Sequence, residues 1–132
     1  MTMNVIGIGT DITQCSRIEG MIQKHADAFL NRVFTENEIS YCGQRKSFAQ
    51  HYTGRFAAKE AILKALGTGW AKGILWTDIE VVNEANGKPI VNLTGQAKVI
   101  SDSLGIGQML ISISHCEDYA VAFATAVGHS TT

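Results

Sequence analysis

A chain of 132 residues, 45% hydrophobic and 17% charged, has the balance of one globular domain and leaves no room for a separate substrate module. Its 11 basic and 12 acidic residues give a formal charge of −1, so no overall field draws in nucleic acid or an anionic membrane, and an acidic partner must be met by a local patch. Cys15, Cys42 and Cys116 show no Cys-x-x-Cys spacing, Met1–Thr10 carries no basic leader, and no stretch approaches the roughly 20 apolar residues of a membrane span. A reduced, cytoplasmic protein is expected.

Asn4–Gly9 is apolar and glycine-rich and reads as a strand, with Asp11 just beyond it. Ser16-x-x-Glu19, with Ile18, Met21 and Ile22, has the form of a capping box opening a helix. Thr35-Glu36-Asn37-Glu38 is a second box, with Phe34 and Ile39 as a hydrophobic staple, and predicts a helix through Tyr41. Arg55–Leu66, rich in alanine, leucine, lysine and glutamate, is the strongest helical stretch, and Gly67-Thr68-Gly69 stops it. Thr77–Val82 and Ile90–Leu93 read as strands joined by the turn Asn86-Gly87-Lys88-Pro89. Thr94 is placed to cap a short helix ending at Leu104, and Met109–Ser114 and Tyr119–Thr125 form a closing antiparallel pair. Helix and strand mix without a βαβ rhythm, so the fold class is α+β, an antiparallel sheet packed with helices in a single domain over 1–132.

Asp11 at a strand end is suitably rigid for a metal ligand, although aspartate there is more often a turn former or helix cap. Glu60 lies mid-helix among Ala57, Ala58 and Ala61, with Lys64 one turn on along the same face and Lys59 on another; a surface Glu–Lys pair is the plain reading of that spacing. Taken together, two carboxylates and several cations suit a magnesium ion bridging a pyrophosphate, because hard Mg²⁺ takes one or two carboxylates and completes its octahedron with phosphate oxygens and water. His115 ends a strand, either fixing a turn or serving the site. His25, His51 and His129 have no ligand-like spacing and receive no role. The sequence has no Gly-x-x-x-x-Gly-Lys-Ser/Thr loop and no Gly-x-Ser-x-Gly elbow, which disfavours P-loop nucleotide hydrolysis and serine hydrolase chemistry.

The ordered set Gly7-Ile8-Gly9-Thr10-Asp11-Ile12 with Arg17-Ile18, Phe34-Thr35-x-x-Glu38-x-x-Tyr41-Cys42, Arg55–Ala61, Lys64–Gly69, Asp78–Val81, Asn86–Pro89 and Ser112-Ile113-Ser114-His115 resembles the holo-acyl-carrier-protein synthase family of the 4′-phosphopantetheinyl transferase superfamily, across nearly the whole chain. The resemblance implies that family's fold and the transfer of 4′-phosphopantetheine from coenzyme A to a serine of apo acyl carrier protein, with release of adenosine 3′,5′-bisphosphate. It also implies a homotrimer with active sites between subunits. Asp11 and Glu60 fall at the family's magnesium-ligand positions and Lys64 at its pyrophosphate lysine, so Glu60 and Lys64 are the candidate catalytic residues. Arg55, Asn86, Gly87, Lys88 and His115 fall around the nucleotide half of coenzyme A, with Arg45 and Lys46 as 3′-phosphate contacts. Arg17 matches the arginine that docks the carrier protein. On its predicted helix Arg17, Met21 and Lys24 form one stripe, two cations around a flexible apolar residue. Glu60 and a metal-bound water both stay open as the acceptor of the serine proton. Two rival readings are a non-catalytic coenzyme A or carrier-protein binding module and a magnesium-dependent pyrophosphate hydrolase.

Overall fold

The computed structural model describes residues 2–70 and 73–129. A strand β1 (Met3–Gln14) leads into helices α1 (Cys15–His25), α2 (Asp27–Val33), α3 (Glu36–Gly43) and the long α4 (Phe48–Leu66). A 3-10 turn at Trp76–Asp78 precedes the hairpin β2 (Ile79–Asn83) and β3 (Pro89–Leu93), then α5 (Gly95–Ser103) and the strands β4 (Ile106–His115) and β5 (Tyr119–His129). Helices pack on antiparallel sheets, as the α+β expectation has it. Among the described residues no helix is long and apolar enough to cross a membrane.

The larger sheet runs β1-β5-β4, with rows such as Gly9–Ala124–Ile111 and Asp11–Ala122–Ile113. Strand side chains alternate between faces, so Gly7, Gly9, Asp11 and Thr13 share the inner face with Ala120, Ala122, Ala124 and Ala126. Helix α4 lies directly on that face. A Cβ on Gly9 would sit 1.9 Å from the Ala61 carbonyl oxygen, and one on Gly7 would sit 2.0 Å from that of Ala65. The two glycines are therefore a demand of packing: strand and helix meet backbone to backbone, over a floor of alanines.

A second cluster, with Ile18, Phe29, Phe34, Cys42, Tyr52 and Phe56 at its centre, clamps α1, α2 and α3 onto the first half of α4. The predicted box at Thr35 forms in full: Thr35 N–H donates to Glu38 Oε1 at 2.9 Å, and Glu38 N–H donates to Thr35 Oγ1. Glu38 does more than cap. It is fully buried, ion-paired at 2.8 Å to the equally buried Lys59 of α4, and its Oε2 accepts from Val81 N–H at 2.9 Å. Lys59 also donates to the carbonyls of Trp76 and Ile79, so every proton of its ammonium has an oxygen to meet.

Several expectations change, among them the strand over Thr77–Val82, which begins only at Ile79 after the 3-10 turn. The first strand does not end at Gly9; pairing with β5 carries it to Gln14, which places Asp11 inside the strand rather than beyond it. The box at Ser16 does not form, because β1 passes straight into α1, Gln14 takes the cap position, and Cys15 N–H bonds the Asp118 carbonyl at 2.8 Å. Helix α4 begins at Phe48, seven residues before Arg55, since burying Tyr52, Thr53 and Gly54 outweighs their weak helical preference. Helix α2 was not foreseen. Thr94 does sit at the N-cap of α5, without a side-chain capping bond, and Gly105 turns the chain away at φ 78°.

Candidate active site

The close seating of α4 on β1 brings three of the expected residues to one edge of the sheet. Lys64 Nζ donates to the Thr10 carbonyl at 2.8 Å and stands 3.5 Å from Asp11 Oδ1, while Thr13 Oγ1 donates to Asp11 Oδ2 at 2.6 Å. The expected Glu60–Lys64 pairing is absent among the described residues; Lys64 turns to Asp11, and Glu60 accepts from Trp70 Nε1 at 3.4 Å. Glu60 directly precedes Ala61, whose carbonyl abuts Gly9, two residues before Asp11. Two carboxylates and one ammonium thus border the same strand–helix seam. Both carboxylates offer oxygen, the donor a hard divalent ion prefers.

A second group gathers at the opposite edge, beyond β4. A cavity of about 220 Å³ is lined by Tyr41, His51, Arg55, Gly87 and His115, with Asn83 at its wall. Arg55 is buried; its Nη2 donates to Asn83 Oδ1 at 2.6 Å, and its Nε has no partner among the described residues. Asn83 Nδ2 in turn donates to the Gly87 carbonyl at 2.9 Å, tying the hairpin turn to α4. The guanidinium groups of Arg45 and Arg55 lie 3.8 and 4.3 Å from the Tyr41 ring centre, as stacked cations do. The rings of His51 and His115 stand 5.5 Å apart. Burial, and then the charges of His115, Arg45 and Arg55, hold the His51 imidazole below its ordinary value.

Of the remaining candidates, Asn86 and Lys88 belong to the turn beside this cavity and Lys46 lies away from it. Asn86 spends its side-chain oxygen on Lys88 N–H at 3.0 Å, shaping the turn in which Gly87 adopts φ 89°. Lys88 borders a neighbouring groove between β3 and β4, and Lys46 is exposed on the far side of α4's first turn, in a groove with Glu19 and Glu117. Thiol chemistry is disfavoured at Cys42, which burial pushes up to about 12.

Arg17, Met21 and Lys24 all lie within α1, as expected of a helix there. Arg17 stands 5.5 Å from the Phe56 ring centre and shares a shallow groove with Met21, Phe29, Arg32 and Trp76. Lys24 lies outside that groove, at the helix end. Sequence reasoning missed Asn83, Tyr41, Arg32 and His51. Of these only Tyr41 carried a signal, its place in the quoted motif; the others come to their sites through tertiary packing.

The chain is thus a small α+β domain in which the alanine-lined α4 brings Lys64 to Asp11 on the glycine-rich β1. The chain belongs to the 4′-phosphopantetheinyl transferase superfamily, whose sequence model matches residues 7–124. It is similar to the holo-[acyl-carrier-protein] synthase of Protochlamydia amoebophila, with 52% identity over 119 residues, 90% of this chain and 95% of that protein. The Chlamydia pneumoniae synthase is 44% identical over 125 residues, 95% and 99% of the two chains. Among solved structures, Plasmodium yoelii acyl carrier protein synthase with ADP bound superposes with a TM-score of 0.88 at 35% identity, covering 98% of this chain and 100% of that one. Helicobacter pylori holo-[acyl-carrier-protein] synthase in complex with coenzyme A gives 0.80 at 31% identity, covering 90% and 98%.

Proposed function

We propose that this chain transfers the 4′-phosphopantetheine group of coenzyme A to a serine of apo acyl carrier protein, releasing adenosine 3′,5′-bisphosphate, with magnesium, at sites shared between the subunits of a cytoplasmic homotrimer. The observation that carries the reading is the seam at which Lys64, 2.8 Å from the Thr10 carbonyl, faces Asp11 one helical turn from Glu60, in a chain of this superfamily.

Asp11 and Glu60 would hold the magnesium ion. Among the described residues no third His, Cys, Asp or Glu joins them in a metal-holding group, which leaves positions for phosphate oxygens and water and suits Mg²⁺ better than zinc. When bound, the ion polarises the phosphate and offsets the charge of the diphosphate. Lys64 adds a cation beside the leaving phosphate. Arg45, Arg55, Gly87, Lys88 and His115 hold the nucleotide, with Asn86 shaping the turn they share, so that the diphosphate is presented in line to the serine hydroxyl. The hydroxyl proton would pass to Glu60 or to a metal-bound water. The stripe of Arg17, Met21 and Lys24 meets the acidic carrier protein.

The two halves of this site lie at opposite edges of a three-stranded sheet, and adjacent strands are about 4.8 Å apart. The outer face of the same sheet carries Ile8, Ile12 and Phe123, exposed by 71%, 66% and 56%, an apolar surface unusual for a monomer. A head-to-tail ring would cover that face and set the β4 edge of one copy against the β1 edge of the next. Light scattering should give three times the chain mass. Incubation with coenzyme A, Mg²⁺ and apo carrier protein, followed by mass spectrometry, should show the carrier heavier by one phosphopantetheine. Unmodified carrier with intact coenzyme A would leave a binding module, and hydrolysed coenzyme A a pyrophosphatase.

A further inference from the structure

The cavity beside Arg55 holds more basic groups than the motifs supply. His51 reaches it from the early turns of α4, which the sequence did not reveal as helix. Its ring stands edge-on to Tyr41 at 5.8 Å and to His115 at 5.5 Å. Tyr41 in turn carries the guanidinium groups of Arg45 and Arg55. His51, His115 and Arg55 therefore face one space whose described lining contains no carboxylate, with Arg45 stacked on the Tyr41 ring of its wall. Arg55, whose Nε has no partner among the described residues, brings its guanidinium to the cavity wall. At about 220 Å³ the space is smaller than the ~300 Å³ at which pockets for whole ligands begin, so it suits one end of a nucleotide.

We propose that His51 is a further phosphate-binding residue, closing with His115, Arg45 and Arg55 on the terminal 3′-phosphate of coenzyme A. The proposal rests on the nucleotide reading of this cavity. A phosphate monoester is the fitting anion because its second ionisation falls near pH ~6, within the range where imidazole also titrates. The groups facing His51 are Tyr41 from α3, Arg45 from the loop after it, Arg55 from α4 and His115 from β4. In the free protein burial, and then the charges of His115, Arg45 and Arg55, hold the His51 imidazole below its ordinary value. An arriving dianion reverses the local field, and the imidazole takes up a proton to become a charged donor. Binding then tightens as the pH falls from about 8 towards 6, until the phosphate itself protonates.

The test is titration calorimetry of wild type, His51→Phe and His51→Gln with coenzyme A and with dephospho-coenzyme A, in Pipes and in Tris. The difference in heat between buffers counts the protons exchanged. Wild type should take up more protons than either variant on binding coenzyme A and no more on binding dephospho-coenzyme A; proton release by the phosphate itself is common to all and cancels. Loss of one charge-assisted contact should weaken coenzyme A about tenfold near pH 6.5 in both variants, with dephospho-coenzyme A unchanged. Phenylalanine keeps the ring contacts with Tyr41 and His115, so a merely structural role would spare that variant. Wild-type affinity and proton count in both variants would overturn the proposal, as would equal weakening of both ligands. Failure of coenzyme A to bind wild type would remove the nucleotide reading itself.

Discussion

Replacing Gly9 by alanine would put a methyl group 1.9 Å from the Ala61 carbonyl oxygen and 2.9 Å from Ala65 N, where ordinary contact begins at 3.4 Å. The obstacle is helix backbone and cannot rotate aside, so β1 and α4 must part by about 1.5 Å along that line. Overpacking of this kind costs about 1–3 kcal/mol. The same movement separates Asp11 from Glu60 and Lys64, and a displacement near 1 Å costs about 100-fold in rate. Urea unfolding at fixed protein concentration should therefore show the upper part of that loss, and transfer at saturating coenzyme A and Mg²⁺ should slow about 100-fold. Gly20→Ala is the control. It meets nothing within 4 Å, lies inside α1, and should stabilise by about 0.5–1 kcal/mol. If Gly9→Ala unfolds like wild type and keeps its turnover, the backbone contact does not position the site.

Lys59→Met leaves Glu38 charged and buried without its partner, and should destabilise by about 3–5 kcal/mol in denaturant unfolding, with partial recovery in Glu38→Gln/Lys59→Met; a single-variant loss below about 1 kcal/mol would contradict this. Burial raises the Glu80 carboxyl, but hydrogen bonds from Thr35, Asn92 and Asn37 outweigh it and leave it below its usual 4.5. Its contribution is thus complete above that value and is lost as the pH falls through the lower folded-state value, so thermal melts of Glu80→Gln should decline less steeply in acid than wild type. Asp11→Ala and Glu60→Ala should each lose at least about 100-fold in transfer while melting like folded protein, and near-normal turnover at limiting Mg²⁺ would show that the altered residue is not a ligand. Arg17→Glu should raise KM for the carrier protein several-fold at low salt and flatten its salt dependence, leaving KM for coenzyme A alone. Unchanged carrier kinetics would move the docking surface elsewhere.

How far the sequence reveals the molecule depends on the range of the forces at each position. The Thr35 box is local chemistry across four residues, and it forms bond for bond. The helix through Arg55–Leu66 shows by its composition, whereas its beginning at Phe48 depends on burial against α1 and α3 and is silent in the residues themselves. Ser16 shows the reverse error, a locally good cap made unnecessary because β1 runs on to pair with β5. Among the site candidates, Asp11, Glu60 and Lys64 were each visible, but that Lys64 serves Asp11 rather than Glu60 follows from the packing of Gly9 on Ala61. Lys59 reads as one more cation beside Glu60 and is in fact the buried partner of a residue 21 positions away. His51 has no ligand-like spacing, and only the turn of α4 brings it opposite His115.

If the site is shared between the subunits of a ring as proposed, its division between the two edges of one sheet has a genetic consequence. In a three-membered ring, a chain damaged at Asp11 and a chain damaged at Arg55 each spoil every interface they form with their own kind. In a mixed ring, one junction brings the sound edge of each together and another collects both defects. Random mixing would then restore roughly a quarter of the intact junctions. Two alleles that are each null alone would complement when expressed together, whereas two lesions on the same edge would not.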